Sequence, residues 1–431
     1  MSVWPWSGPP PSDDARVRAA LLPRTLERAA ALPYYRKAWG NRWKRGLTAL
    51  PLLRKPDAVK HQRGLLAEGT APFVGVVSSG TQHGDRAPLR VPEADAELEA
   101  FGEFARGRSS AGAKAPRGLA LEVVSMQHGF PTGEPHPGVL RVGWTFSETT
   151  LKVIRELLLT REGKRRVETL VIGAGALPAL TAWLYEQDFN FRSLAVQDIG
   201  TTGFALSPHW KARVEALWGA RVWNNFSLSE LAAPAPECEH CGFHHWLWPA
   251  NFTEVLHPKT GEPLWRGVGE LVVTTLYPFV QAMPLIRYAT GDLVELGTSC
   301  PAARERGFRM RGRVAQCVLS DRGELVASPL DVEAFLDGLP DVDRLAHPDA
   351  KLGIVRSVDV GVPRFELDAS KGGARVRFEV RFDPALFPQR ADALAKALVR
   401  QLRGAVPAAR GAALDVAAVR RGTLTRKWTK F

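Results

Sequence analysis

Between residues 169 and 223 the chain repeats one pattern: a short apolar run, a glycine or polar break, a stretch of helical period, and another apolar run. Thr169–Ile172 is closed by Gly173-Ala174-Gly175, Leu177–Tyr185 has the helical period, and Ser193–Val196 and Ala220–Trp223 are further apolar runs. Apolar runs this short, bounded by glycine, read as buried strands, and strands that alternate with helices build a parallel sheet covered on its faces. The expectation is an α/β layered domain. Upstream, Ser147 precedes Leu151, Ile154, Leu157 and Leu158, the spacing of a capped amphipathic helix. Arg16–Ala31 also has a helical pattern, and Phe73–Val77 reads as a strand that enters a Ser/Gly loop.

The pattern changes after Gly312-Arg313. Val376–Phe382 alternates Val and Phe with Arg and Glu, as a half-buried strand does, and a helix follows over Ala391–Leu402. Two units are therefore expected: a large N-terminal domain over residues 1–313 with mixed sheets, and a small, mobile α+β domain over 314–431. A chain of 431 residues, 45% of them hydrophobic, can bury cores of that size. No apolar run reaches the roughly 18 residues of a membrane span, so no membrane partner is expected. The N-terminal stretch lacks the basic and apolar regions of a secretory signal, which makes the cytoplasm the expected location.

The net charge is +12, and much of it lies between Ala397 and Phe431, where eight Lys or Arg accompany one acid. No zinc-finger helix or aromatic-interleaved basic repeat goes with it, so nucleic acid is not expected as a partner. An anionic small molecule and a plain solvated basic face both remain open.

Four stretches carry candidate chemistry. Ser78-Ser79-Gly80-Thr81 begins a loop of hydroxyls and glycines, a composition that can cradle phosphate oxygens or simply turn the chain. Phe226-Ser227-Leu228-Ser229-Glu230 follows an apolar strand; an aromatic ring there can stack on a base and a carboxylate can hold Mg²⁺, or the two can belong to a strand-to-helix connection. Arg287-Tyr288-Ala289-Thr290-Gly291-Asp292 places a carboxylate after a tight glycine turn, suited to two ribose hydroxyls and equally to a hairpin. Arg311-Gly312-Arg313 precedes Asp321-Arg322-Gly323-Glu324 and then Ser328-Pro329.

In this order and spacing the stretches resemble the acyl-CoA synthetase, peptide-adenylation and luciferase superfamily of adenylate-forming enzymes, and within it the phenylacetate–CoA ligase branch. RYATGD is the most specific match, and the segment RRGTLTRKWTKF resembles the terminal stretch that bears the adenylation lysine. The resemblance implies an AMP-forming acid–thiol ligase. It would use ATP, Mg²⁺ and coenzyme A to activate a small carboxylic acid, aryl or arylacetic by default. It also implies roles for single residues. Ser78, Ser79, Gly80 and Thr81 would hold the phosphates, Phe226 would lie against adenine, and Glu230 would bind Mg²⁺. Asp292 would hold the ribose, Arg313 would sit at the hinge near the nucleotide, and Lys427 would bridge the acid and the α-phosphate, with Lys430 as its rival. Gln127-His128-Gly129-Phe130 is a candidate lining for the acyl pocket or a core loop. The chain departs from the pattern at Gln82-His83-Gly84-Asp85-Arg86 in the phosphate loop and at Asp198–Gly203, where the branch has Gly-Gly-Glu. It departs again at Ala315 after the hinge and at Phe226-Ser227 in place of Tyr-Gly. Transfer to a carrier protein, and a relative that binds nucleotide without turnover, are the competing expectations.

Cys238-Glu-His-Cys241 is followed by His244 and His245, with Cys300 downstream. Thiolates and imidazoles in this arrangement suit a tetrahedral Zn²⁺, and some members of the branch resemble this with a structural zinc in the corresponding region. Free buried cysteines and a redox pair remain the alternatives, and either histidine could be the ligand.

Overall fold

The computed structural model describes residues 4–6, 13–68, 72–77, 89–109, 118–125, 138–231, 233–301 and 305–425. The loop 78–81, the stretch 127–130 and Lys427 and Lys430 lie outside the described residues. The large domain is built on two sheets. In the first, five strands run parallel in the spatial order Arg221–Phe226, Asp198–Thr202, Arg165–Gly173, Leu119–Ser125 and Val139–Trp144. The helices Glu148–Leu158, Ala176–Glu186 and Pro208–Trp218 pack on it, and Leu121, Leu170, Ile172, Leu180 and Ile199 are among the residues that fill its core. Ser147 and Ser207 cap two of these helices by accepting N–H bonds from Thr150 and Trp210.

The alternation read from the sequence is present, with one shift. Ser193–Val196 is not a strand: Phe191–Ser193 forms a 3-10 turn, and the strand begins at Asp198. Asn190 holds the turn by accepting the Arg192 N–H, while Phe191 and Val196 drop into the core as apolar anchors. Their hydrophobicity serves packing rather than a ladder.

The second sheet is mixed. Tyr288–Cys300 lies between the antiparallel strands Gly267–Thr275 and Glu305–Arg313, with Asn251–Leu256 outside, and the short strand Leu53–Arg54 runs parallel to its start. The glycine turn expected before Asp292 is absent. Gly291 instead lies within this long strand at φ +74°, a backbone that favours glycine, and twists the strand without ending it.

The small domain has its own core. Phe365–Ser370, Gly373–Val380 and Ala413–Arg420 form a sheet covered by the helix Pro388–Ala405, with Val376, Phe378, Leu398 and Leu402 fully buried between them. The last two strands run parallel, joined through the helix. No described helix is long and apolar enough to cross a membrane.

Candidate functional site

Asp292 and Arg313 face each other across adjacent strands. The guanidinium Nη1 lies 2.8 Å from Asp292 Oδ1 and also donates to the Thr290 carbonyl at 3.3 Å. Asp292 is buried, and its Oδ2 makes no hydrogen bond among the described residues. Burial pushes its carboxyl above the usual aspartate range, Arg313 and the Thr290 hydroxyl pull it back, and the charges of Glu230 and Glu270 push it up again. A buried carboxylate with one oxygen clamped and the other unmatched fits a donor that is not part of the described protein, such as a hydroxyl of a sugar.

Glu230 belongs to the same electrostatic neighbourhood. It is buried, and its Oε1 accepts from Lys55 Nζ at 2.9 Å and from the Tyr288 hydroxyl at 3.2 Å. Both donors take the same oxygen, which leaves Oε2 without a described hydrogen bond. Burial, and then the charge of Glu230, raise the Tyr288 hydroxyl well above its ordinary value, so it stays a donor. Lys55 arrives from far away in the chain because Leu53 and Arg54 pair in register with Tyr288 and Ala289, which sets the next residue beside the site. Arg54 in turn binds Glu270, with Nη1 at 3.1 Å from Oε1. Arg287, at φ +50°, anchors the start of the same strand through Glu254 and the carbonyl of Leu50.

The sequence does not single out Lys55, and it gives Tyr288 no role within its motif. Phe226, expected to lie against adenine, is largely buried at the end of its strand. Its ring is buried in a cluster with Trp246, Phe308 and His244, edge-on to Phe308 at 5.2 Å, because the strand end turns it towards the second sheet. Beside it, Ser227 and Thr202 join the ends of two parallel strands through a hydroxyl contact of 2.9 Å.

The cysteine cluster assembles around one centre. The ligand atoms of Cys238, Cys241, His245 and Cys300 all lie within 4.8 Å of one another. Cys241 Sγ is 3.3 Å from His245 Nε2, and Cys238 Sγ is 3.9 Å from Cys300 Sγ. That sulfur separation is close to the edge of a tetrahedron with ~2.3 Å bonds, about 3.8 Å. The four cysteines are free thiols, and burial and the neighbouring thiols raise Cys241 to about 11, so a cation would have to draw the protons off. His244 is outside the group: its Nδ1 lies 3.0 Å from the Ala235 carbonyl and its ring packs on Phe226 and Phe308. Burial lowers it to about 4, which keeps it neutral. Cys300 ends the strand that begins at Tyr288. It lies eight residues beyond Asp292, roughly 27 Å along an extended strand. The cluster is therefore remote from the carboxylates.

No family model matches the chain. A phenylacetate–coenzyme A ligase of Thermus thermophilus is 30% identical over 75% of this chain and 76% of its own length. One of Aromatoleum evansii is 37% identical over 24% of each chain. Among solved structures, an open conformation of 2-hydroxyisobutyryl-CoA ligase in complex with 2-HIB-AMP and CoA superposes with a TM-score of 0.68 at 16% identity, covering 98% of this chain and 96% of the other. An acyl acid amido synthetase in complex with 2,4-DB gives 0.55 at 15% identity over 95% and 87%.

Proposed function

The chain belongs to the phenylacetate–coenzyme A ligase family, and from that premise we propose a two-step reaction. A carboxylic acid attacks the α-phosphate of ATP, giving an acyl-adenylate and pyrophosphate; the thiol of coenzyme A then displaces AMP to give the thioester. The observation that carries the site assignment is Asp292, clamped by Arg313 on one oxygen and unmatched on the other, beside Glu230.

Asp292 Oδ2 accepts from the ribose, and Arg313 keeps the carboxylate oriented and balances its charge. Glu230, held on Oε1 by Lys55 and Tyr288, offers Oε2 to Mg²⁺. The ion supplies neutralisation of phosphate charge as the adenylate forms. Phe226 lies against adenine, an assignment that rests on the sequence resemblance, and the joined hydroxyls of Ser227 and Thr202 are at the same strand ends. The loop from Ser78 to Thr81 takes the phosphates and Lys427 bridges acid and α-phosphate; both assignments rest on the sequence resemblance. The domain boundary falls between residues 313 and 314, so Arg313 closes the large domain. Cys238, Cys241, His245 and Cys300, whose ligand atoms lie within 4.8 Å of one another, would hold a structural Zn²⁺, which thiolates and an imidazole suit. A cytoplasmic location suits thiols that must stay reduced. The names of the relatives favour coenzyme A over a carrier protein as acceptor and an arylacetic or related acid as substrate.

The test is acid-dependent pyrophosphate release over a panel of aryl, arylacetic and short hydroxy acids, followed by thioester formation with coenzyme A. Release without thioester points to another acceptor. ATP binding without release favours the nucleotide-binding relative, which the altered phosphate loop Gln82–Arg86 supports.

A further inference from the structure

The sheet of the small domain has one face on the helix Pro388–Ala405 and one turned away from it. Along Gly373–Val380 the residues alternate between the two. Val376, Phe378 and Val380 fill the core, while Arg375 and Arg377 stand on the outer face and bind Asp415 of the neighbouring strand. Glu379 belongs to that outer face by the same alternation, yet it is 0% exposed. Its cover is Arg364 and the chain that leaves the last strand. Beyond Ala413–Arg420 the backbone turns, with Gly422 at φ +82° and the Thr423 N–H and hydroxyl both donating to the Arg420 carbonyl. The turn delivers Leu424 to Glu379, whose Oε1 accepts the Leu424 N–H at 2.7 Å. Arg364 holds Nε 2.8 Å from Glu379 Oε2 and donates from Nη2 to the Leu424 carbonyl at 3.1 Å. One ion pair thus grips both backbone groups of a single residue.

Apolar contact alone would let the segment slide, and a charged donor and acceptor on one residue fix its register. Lys427 follows Leu424 by three residues and Arg420 by seven. Three residues reach at most roughly 10 Å and seven roughly 24 Å. We propose that Glu379 and Arg364 are positioning residues for the adenylating lysine: by gripping Leu424 they shorten the tether on which that lysine meets the acid and the α-phosphate. The role rests on the two-step reaction above and on the lysine's place in the tail. Effective concentration on a tether falls roughly as the −3/2 power of its length, so release of Leu424 would dilute Lys427 about fourfold.

The test uses the full chain in three variants. Glu379→Ala removes both contacts of the carboxylate, and Glu379→Gln keeps an oxygen for the Leu424 N–H. Leu424→Pro deletes that N–H and leaves the sheet untouched, which guards against a Glu379→Ala chain that fails to fold. Exchange of the Leu424 amide should speed up by roughly tenfold or more in Glu379→Ala and change little in Glu379→Gln. Glu379→Ala and Leu424→Pro should lower kcat for pyrophosphate release by about fourfold or more, with KM for ATP and acid unchanged. Both should convert prepared acyl-adenylate to thioester at the wild-type rate, and Glu379→Gln should stay near wild type in both steps. In a chain already lacking the lysine, Leu424→Pro should cost nothing further. A purely structural part would slow both half-reactions together or neither; either result overturns the proposal, as does unchanged exchange in Glu379→Ala. Wild-type protein that releases no pyrophosphate with any acid brings down the two-step reading and the positioning role with it. An active wild type whose variants keep its rates brings down the positioning role alone.

Discussion

Lys55 and Glu230 form a buried ion pair of 2.9 Å, with their side chains 8% and 6% exposed. Removing one partner strands a charge in the interior, which typically costs about 3–5 kcal/mol. Lys55→Met should therefore lower unfolding free energy in urea by about 3 kcal/mol, and adding Glu230→Gln should recover most of the loss. A single variant as stable as wild type would mean the pair is open to water in solution.

Asp292→Asn keeps the shape and removes the charge that Arg313 clamps. Charge-assisted hydrogen bonds contribute about 1.5–3 kcal/mol. ATP affinity by calorimetry should fall by roughly tenfold to a hundredfold in a variant that still unfolds cooperatively. Unchanged affinity removes Asp292 from the nucleotide site.

Purified protein should contain about one zinc per chain by elemental analysis. Cys300→Ser should lose the metal and unfold earlier, because metal binding is coupled to folding. His244→Gln should keep it and His245→Gln should not, since His245 alone of the pair stands among the thiols. A stable, metal-free wild type would sink the assignment.

Glu333 lies half-buried in a cleft it shares with Ser207, Asp337 and Val360, beside the paired strands Arg344–Ala346 and Gly361–Pro363. Burial and then the charge of Asp337 raise its carboxyl to about 8, against the pull of Arg344. The folded state thus holds a proton that the unfolded chain has already lost. The stability this contributes is present below the ordinary glutamate range and drains away as pH rises towards 8. Moving a carboxyl's titration by one pH unit is worth about 1.36 kcal/mol. Glu333→Gln should stabilise the protein at pH 8.5, raising its melting temperature, and change little at pH 4.5. Equal effects at both pH values would assign the gain to packing instead.

Lys427→Ala should cut pyrophosphate release by roughly 10²–10³, the usual cost of losing one transition-state donor. It should spare conversion of prepared acyl-adenylate to thioester. Lys430→Ala is the control. The opposite split would move the role three residues on, and no effect from either would leave the tail a solvated basic end.

The layered α/β core was legible because Thr169–Ile172 and Leu177–Tyr185 carry their period in the chain itself. Ser193–Val196 misled because apolar residues that anchor a turn look like a strand when the ladder partner is out of view. Asp292 and Arg313 could be named from their motifs, but their pairing depends on the register of two strands. Lys55 could not be read at all: what makes it special is a parallel pairing of two residues with a strand more than two hundred positions away. His244 and His245 are chemically equivalent in the sequence, and only the direction in which a strand-like backbone points each ring separates them.

One strand, Tyr288–Cys300, holds Tyr288 and Asp292 near its start and Cys300 at its last position. The proposed zinc and ribose sites would thus share one strand, so the nucleotide titrations that test Asp292 call for protein of known zinc content.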